Sequence, residues 1–156
     1  MDWHKSPGNK ILDRFLLEEE MGKGAIGISY LASDQVLNKD VAIKILHPAF
    51  SRPEFNAANT FRLYRTRGFV HENIMTFHEI LPQDGSFYVT KEYLDAVDLR
   101  TLSKLRRENF EPFTRNELVH MVHQITQALT MIHMMGANGN LKPENILIQQ
   151  DRIVLD

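Results

Sequence analysis

The sequence predicts an α+β fold, in which an antiparallel sheet of five strands with one helix precedes a helical region. Three observations predict it. Short apolar runs separated by turn residues recur between positions 15 and 93, loosely helical spacing covers positions 54–68, and apolar residues beyond Asp95 recur at three-and-four spacing. Runs of the first kind are typical of strands, and the last pattern is typical of helices that bury one face.

Turn residues divide the first part of the chain into predicted strands and one predicted helix. Residues 1–10 are polar and predict a flexible tail. Residues 15–30 predict a hairpin whose turn is rich in glycine, and the further strands are predicted at 41–46, 74–81 and 87–93. The last two are joined by Asp84 and Gly85, a typical hairpin turn. The helix is predicted at 54–68.

The second part is predicted to be mainly helical. A short helix is indicated by Leu99, Leu102 and Leu105. Thr114 and Glu117 have the spacing of a capping box, which predicts the start of a longer helix, and Gly136 suits its left-handed end. The apolar face of that helix would be formed by Leu118, Met121, Val122, Ile125, Leu129 and Ile132. Residues 146–148 and 153–155 flank a polar turn and predict a small hairpin.

Composition and charge narrow the possible functions. The chain has 156 residues, of which 43% are apolar and 24% charged, enough for one sizeable core. A net charge of -2 gives no electrostatic reason to bind nucleic acid or a membrane surface. The absence of cysteine removes disulfides and thiolate metal sites. No segment is apolar for long enough to be a signal peptide or a membrane span, so we expect a cytoplasmic protein.

A glycine-rich segment and one lysine carry the first chemical signal. Residues 22–27 have the form Gly-x-Gly-x-x-Gly, with strand-like sequence on both sides, which favours a flap over phosphates rather than a dinucleotide-binding turn. A merely flexible hairpin tip is the alternative. Lys44 follows on an apolar strand, where an ammonium group is costly unless it meets an anion. A lysine that reaches water from the strand edge is the alternative there.

Residues 138–145, Asn-Gly-Asn-Leu-Lys-Pro-Glu-Asn, resemble the catalytic loop of protein kinases, and their last four residues match a frequent Ser/Thr kinase form. The glycine flap, Lys44 in Val-Ala-Ile-Lys, and Glu92-Tyr93-Leu94 at the hinge position agree with that resemblance. It covers about residues 15–156 and implies a protein kinase-like fold of the eukaryotic Ser/Thr type. Residues 11–94 would form the N-lobe and 95–156 part of the C-lobe, truncated after the Asp of the Asp-Phe-Gly position.

The resemblance also implies ATP and Mg2+ as cofactors. By position, the residues expected to contact the nucleotide are Gly22, Gly24, Gly27, Ala42, Lys44, Glu92, Leu94, Asp98 and Leu147. Asn145 and Asp156 would hold the metal, and Lys142 and Asn140 would occupy catalytic positions. Asp156 is assigned to the Asp of Asp-Phe-Gly because it ends the second strand of the small hairpin. An end of the chain without a metal role is the alternative.

The catalytic loop departs from that of a working kinase. Asn140 stands where the family has the aspartate that accepts the proton of the attacking hydroxyl, and an amide lacks both the charge and the basicity for this. Gly139 replaces the arginine that grips the activation segment. We therefore expect a pseudokinase, with strongly slowed phosphate transfer.

Three further positions weaken the expected nucleotide site. Arg62 falls where the glutamate partner of Lys44 belongs, so two positive charges would repel. Lys91 occupies the gatekeeper position and adds positive charge behind the adenine, and Ser29 stands where a valine usually covers the base.

His120, His123 and His133 lack the spacing of a metal site and are interpreted as core or solvated residues.

Three functions stay open at this point. The first is an ATP-binding, catalytically impaired kinase, and the second is an active Ser/Thr kinase represented by a fragment. The third is an interaction module that binds no nucleotide. The apolar face of the helix at 115–135 would be exposed without the rest of a C-lobe, which predicts a protein partner covering it.

Overall fold

The computed structural model describes residues 4–24, 26–50, 69–136 and 141–156, with only the backbone described at Phe50. The chain divides into two compact units, the first comprising Met1–Phe69 and Thr76–Tyr93 and the second Val70–Met75 and Leu94–Asp156. The helix predicted at 54–68, with Arg62, lies outside the described residues. So do Asn138, Gly139 and Asn140.

The first unit is built on a six-stranded antiparallel sheet. Its strands are β1 (Lys10–Ile11), β2 (Phe15–Gly24), β3 (Gly27–Asp34), β4 (Lys39–Leu46), β5 (Phe77–Gln83) and β6 (Ser86–Glu92), in the order β1-β2-β3-β4-β6-β5. The predicted antiparallel sheet of five strands is confirmed, and one two-residue strand is added at its edge. That strand includes Lys10, which the sequence assigned to the tail, and it pairs with Leu16 of β2.

One face of this sheet forms the hydrophobic core. Alternate residues of neighbouring strands point to it, as the two-residue period of a strand requires. The buried cluster contains Ile11, Phe15, Leu17, Ile28, Tyr30, Ala32, Val41, Ile43, Ile45 and Tyr88. Between β5 and β6, Asp84 and Gly85 both have positive φ, 50° and 74°, as expected for the predicted tight turn.

The start of β5 differs from the prediction. The sequence predicted a strand at 74–81, but β5 spans Phe77–Gln83. Residues 74 and 75 belong to the second unit, where the Met75 N–H donates to the Leu155 carbonyl at 2.8 Å. The segment predicted as one strand is therefore divided between the two units, which its pattern alone does not reveal.

A cluster of charged side chains joins the start of β2 to the end of β3 and to β5. The guanidinium of Arg14 donates to both carboxylate oxygens of Asp34, at 2.9 and 2.6 Å, and also to Glu79 at 3.0 Å. Asp34 is 1% exposed and also accepts the backbone N–H groups of Val36 and Leu37. The hydrogen bonds from Arg14, together with these backbone bonds, lower the pKa of Asp34 from 3.8 to about 2.

The second unit combines a small sheet with two helices. Strands β7 (Val97–Asp98), β8 (Ile146–Gln149) and β9 (Arg152–Leu155) form an antiparallel sheet in that order, and the helices are α1 (Leu99–Glu108) and α2 (Arg115–Met134). The predicted hairpin and both predicted helices are thus present. No helix in the described part of the chain has the length and apolar character to span a membrane.

The predicted ends of α2 are confirmed. Thr114 Oγ1 accepts the N–H of Glu117 at 3.2 Å, and the Glu117 carboxylate accepts the N–H of Thr114 at 2.7 Å, which is the predicted capping box. At the other end Gly136 has φ 67°. The predicted apolar face is only partly buried: Met121 is 9% exposed, but Leu118 and Val122 are 48% and 61% exposed.

A buried amide network joins α2 to β9. Asn73 Nδ2 donates to Gln124 Oε1 at 2.6 Å and to the Ile153 carbonyl at 2.8 Å. Gln124 Oε1 also accepts the Ile153 N–H at 2.8 Å, and its Nε2 donates to the Asp151 carbonyl. The network holds β9, and with it the strand end that leads to Asp156, in one register against α2.

Candidate functional site

The glycine-rich hairpin is formed by β2 and β3, and Gly24 pairs with Gly27 where the two strands meet. Gly27 has a steric reason to be glycine, since a Cβ there would lie 2.2 Å from the Ile45 carbonyl oxygen. A Cβ on Gly22 would meet no atom within 4 Å. The close packing of β3 on β4 therefore explains the last glycine of the motif, whereas Gly22 leaves open space in front of its backbone.

Lys44 lies within β4, beside this hairpin. It pairs with Ser29 of β3 and Val89 of β6, and its side chain is half-buried. Its neighbours Ile43 and Ile45 belong to the core, so Lys44 lies on the opposite face of the sheet. Ala42 lies on the same face as Lys44 and is 2% exposed.

The end of β6 carries the residues expected at the hinge. The Glu92 N–H donates to the Thr76 carbonyl, and the Glu92 carboxylate accepts the Thr76 N–H, both at 2.9 Å. The side chain of Glu92 is thus engaged in fixing the start of β5. Leu94, the other hinge residue expected to contact the nucleotide, is half-buried and is the first residue of the second unit after Tyr93.

Asp98 has a structural role that was not recognised from the sequence. One of its carboxylate oxygens accepts the Thr101 N–H at 2.9 Å and the other accepts the Thr101 hydroxyl at 2.7 Å, so Asp98 is the N-cap of α1. The Asp-x-x-Thr spacing at the start of a helical pattern is the signal that could have identified it. Asp98 also pairs with Leu147 across β7 and β8.

Asn145 and Asp156 are brought together by backbone hydrogen bonds. Ile146 pairs with Leu155, and the Asp156 N–H donates to the Asn145 carbonyl at 2.9 Å. The two residues thus occupy adjacent positions at one end of the β8–β9 hairpin. Amide and carboxylate oxygens are ligands that suit Mg2+, which commonly takes one or two protein ligands and completes its shell with water and phosphate.

The short turn that ends at Asn145 carries a backbone hydrogen bond and an exposed ion pair. Residues Pro143–Asn145 form a short 3-10 turn, and the Asn145 N–H donates to the Lys142 carbonyl at 2.9 Å. Glu144 pairs with Arg100 of α1. Its own backbone N–H and the charge of Arg100 lower the pKa of Glu144. Lys142 itself is exposed.

Among the residues that the structure describes, no three His, Cys, Asp or Glu side chains cluster as a metal site. His120, one of the three histidines of α2, lies near the Asp151 carbonyl, with Nε2 at 3.1 Å. The expected metal ligands remain Asn145 and Asp156, one amide and one carboxylate.

Comparison with known proteins gives a family match over nearly the whole chain. The family model of the protein kinase domain matches residues 15–155. A probable serine/threonine-protein kinase of Clostridium acetobutylicum is 29% identical over 152 residues, covering 94% of this chain and 22% of the relative. The serine/threonine-protein kinase PknE of Mycobacterium tuberculosis is 32% identical over 139 residues, covering 88% of this chain and 24% of the relative. The chain thus spans less than a quarter of the length of these two relatives.

A solved structure agrees with the fold. The crystal structure of the PknI kinase domain of Mycobacterium tuberculosis superposes with a TM-score of 0.81 at 21% identity, covering 97% of this chain and 62% of that chain. At this identity the structural likeness shows the fold alone. The antiparallel sheet of the first unit and the two helices of the second are therefore those of a kinase-like fold.

Proposed function

Because this chain belongs to the protein kinase family, in its Ser/Thr branch, we propose that it binds ATP with Mg2+ and transfers phosphate slowly or not at all. Protein kinases generally use both cofactors. Residues 11–94 would act as the N-lobe and 95–156 as part of the C-lobe. We also propose that the protein is cytoplasmic.

The position of Lys44 is the observation that carries nucleotide binding. Its half-buried side chain stands on the non-core face of β4, next to the hairpin of Gly22 and Gly27. An ammonium group in such a place favours an anion over a neutral ligand. The open space at Gly22 allows phosphate oxygens to approach backbone N–H groups, which a side chain would hinder.

The adjacent positions of Asn145 and Asp156 support a metal role. Their oxygen donors fit Mg2+, and when bound the ion would neutralise charge on the phosphates. Lys142 would add one positive charge near the transferred group. No step of the proposal needs a third protein ligand, because phosphate oxygens and water complete the shell of this ion.

In the second unit, Leu94 and Leu147 would contact the base and Asp98 the ribose. Both carboxylate oxygens of Asp98 already accept hydrogen bonds from Thr101. A carboxylate oxygen has a second lone pair, so a ribose hydroxyl would share an oxygen that is already engaged. We therefore expect the ribose contact to add little affinity.

The slow transfer rests on the chemistry of Asn140. An aspartate at this position accepts the hydrogen of the attacking hydroxyl, whereas an amide oxygen is a far weaker base. Asn140 would still orient the hydroxyl by a hydrogen bond. We expect Asn140→Asp to raise phosphate transfer by at least about a hundredfold, which is the usual contribution of a general base.

A phosphate-transfer assay tests this directly. Full-length protein, its Asn140→Asp and Lys44→Met variants and the double variant are compared with Mg2+, ATP and a generic peptide. The proposal predicts turnover at least about a hundredfold faster in Asn140→Asp than in the parent, and its loss in the double variant. Turnover in the parent that Lys44→Met removes, and that is as fast as in Asn140→Asp, would show that Asn140 does not impair catalysis.

An active Ser/Thr kinase is the second candidate. It is favoured by the two relatives described above, both of which are called serine/threonine-protein kinases, one of them a probable one. In that case Asn140→Asp gives no gain over an active parent. An interaction module that binds no nucleotide is distinguished by thermal denaturation, because a rise in melting temperature that increases with the concentration of Mg2+ and ATP requires binding to the folded state.

A protein partner is part of the proposal as well. In α2 the side chains of Leu118, Val119 and Val122 are 48%, 61% and 61% exposed, and apolar groups of this kind are common at interfaces. Replacing Val119 and Val122 by Ser should leave ATP binding intact and weaken association with a partner. Unchanged co-elution of the full-length variant with its partner in size-exclusion chromatography would contradict this.

A further inference from the structure

Two lysines lie on the same face of the sheet as close neighbours. Ala42 pairs with Lys91 and Lys44 pairs with Val89 across β4 and β6. Directly paired residues of an antiparallel sheet point to the same side, so Lys44 and Lys91 are diagonal neighbours, about 7–8 Å apart in such an arrangement with their β carbons somewhat closer. The flexible four-carbon stems allow both ammonium groups to approach one ligand.

The residues paired with these lysines are uncharged. Ser29 and Val89 flank Lys44 on either side, and Ala42 lies next to Lys91 across the strands. Lys91 is only 8% exposed, so its charge lies in a region from which bulk water is largely excluded. Interaction of an ammonium group with an anion is stronger there than at the protein surface.

Two acidic residues, Asp40 and Glu92, belong to β4 and β6. Glu92 pairs with Val41, a core residue, and therefore faces the other side of the sheet. Asp40 is on the lysine side and is the other diagonal neighbour of Lys91, but it is exposed and lies on the far side of Ala42 from Lys44. Within these two strands, the charges that stand between Ala42 and Val89 on this face are positive.

We propose that Lys44 and Lys91 form a single two-lysine site for a polyphosphate, and that Lys91 is a determinant of ligand specificity. The inference rests on the proposed nucleotide binding and deepens it. From the sequence alone, Lys91 was interpreted as a positive charge behind the adenine that weakens nucleotide binding. With both ammonium groups on one anion, most of the affinity comes from the phosphates rather than from the base. The base has Ser29 beside it instead of the usual valine and therefore makes fewer apolar contacts.

Isothermal titration with inorganic pyrophosphate, ATP and adenosine tests the pair. The chain and its variants Lys91→Met, Lys44→Met and the double variant are titrated in magnesium-free buffer, and ATP is titrated a second time with Mg2+ present. Each single substitution should weaken pyrophosphate binding about tenfold, as expected for loss of one charge-assisted hydrogen bond, and leave adenosine binding unchanged. The two effects should not add, because both lysines act on one ligand.

Two further variants separate this role from a general effect of charge or packing. Lys39→Met removes the same charge from the exposed end of β4 and should bind pyrophosphate as the parent does within about twofold. Lys91→Arg keeps the charge and should retain most of the affinity. Melting temperatures of all variants exclude loss of folding as the cause.

The results distinguish this inference from the proposed function. If the parent binds ATP but Lys91→Met binds pyrophosphate and ATP as tightly as Lys39→Met does, the two-lysine site is wrong and nucleotide binding stands. If the parent binds pyrophosphate through both lysines but does not bind ATP, the site stands and the nucleotide function is wrong. A parent that binds neither ligand overturns both.

Discussion

Gly27 has no room for a side chain. A Cβ at this position would lie 2.2 Å from the Ile45 carbonyl oxygen and 3.1 Å from the Leu46 Cα, and both atoms belong to the backbone of a central strand. We expect Gly27→Ala to force β3 away from β4 and to lower the free energy of unfolding by about 2–4 kcal/mol. Urea denaturation followed by circular dichroism measures the change.

Gly22→Ala is the matched control. Because no atom lies within 4 Å of the added methyl group, its unfolding free energy should stay within about 0.5 kcal/mol of the parent. Equal destabilisation by the two substitutions would contradict the steric explanation. The glycine motif is visible in the sequence, but only the packing of β4 separates its structural glycine from the one that leaves space for a ligand.

Asp34 makes the stability of the first unit depend on pH in acid. The hydrogen bonds from Arg14 lower the pKa of Asp34 to about 2 in the folded state, below its ordinary 3.8. A lowered folded-state pKa stabilises the protein above about pH 4, and this contribution is lost as pH falls from about 4 towards 2. It amounts to about 2 kcal/mol from the size of the shift.

The measurement is the unfolding free energy between about pH 5 and pH 2, for the parent and for Asp34→Asn. The variant should be less stable at the upper end of this range and should lose this part of the acid dependence. An unchanged slope in the variant would mean that Asp34 does not carry it. Neither Arg14 nor Asp34 was identified from the sequence, because their contact joins distant residues through the sheet register.

The C-terminal end of α1 has a residue that does not suit its backbone. The Glu111 N–H donates to the Arg106 carbonyl and the Phe110 N–H to the Arg107 carbonyl, which is the Schellman motif. Phe110 occupies the left-handed position of this motif, with φ 57°, where glycine is usual, and its side chain is 92% exposed. A residue with a Cβ is disfavoured here by about 1 kcal/mol.

Phe110→Gly should therefore raise the unfolding free energy by about 0.5–1 kcal/mol, because glycine adopts this conformation without strain. Phe110→Ala keeps a Cβ in the same conformation and should give no comparable gain. Thermal melts of the three proteins measure the difference. A gain in the alanine variant equal to that of glycine would assign the effect to the exposed ring instead.

At the level of elements, local signals predicted the structure well. The capping box of Thr114 and Glu117, the turn at Asp84 and the left-handed Gly136 each depend on a few adjacent residues, and all three are present. The inward position of Gln124 was not predicted. It depends on Asn73 and the backbone of β9, and a polar residue on a helix otherwise favours the solvent side.

For the whole molecule, the family match and the sheet order agree with the fold predicted from three short motifs. What the sequence could not show is which residues share a face or a register. The diagonal position of Lys44 and Lys91 follows from strand pairing between separate segments, whereas the adjacency of Asn145 and Asp156 follows from the small hairpin that the sequence predicted. These pairings determine which side chains can act on the same ligand, although the sequence already identified each of the residues.

The central claim is that the chain binds ATP through Lys44, and isothermal titration of the parent and of Lys44→Met with Mg2+ and ATP tests it most directly. We predict saturable binding to one site in the parent and an affinity at least about tenfold lower in Lys44→Met, with Lys39→Met as the charge-matched control. Titrations without saturable heat in the parent, or with equal affinity in the parent and Lys44→Met, would contradict the claim.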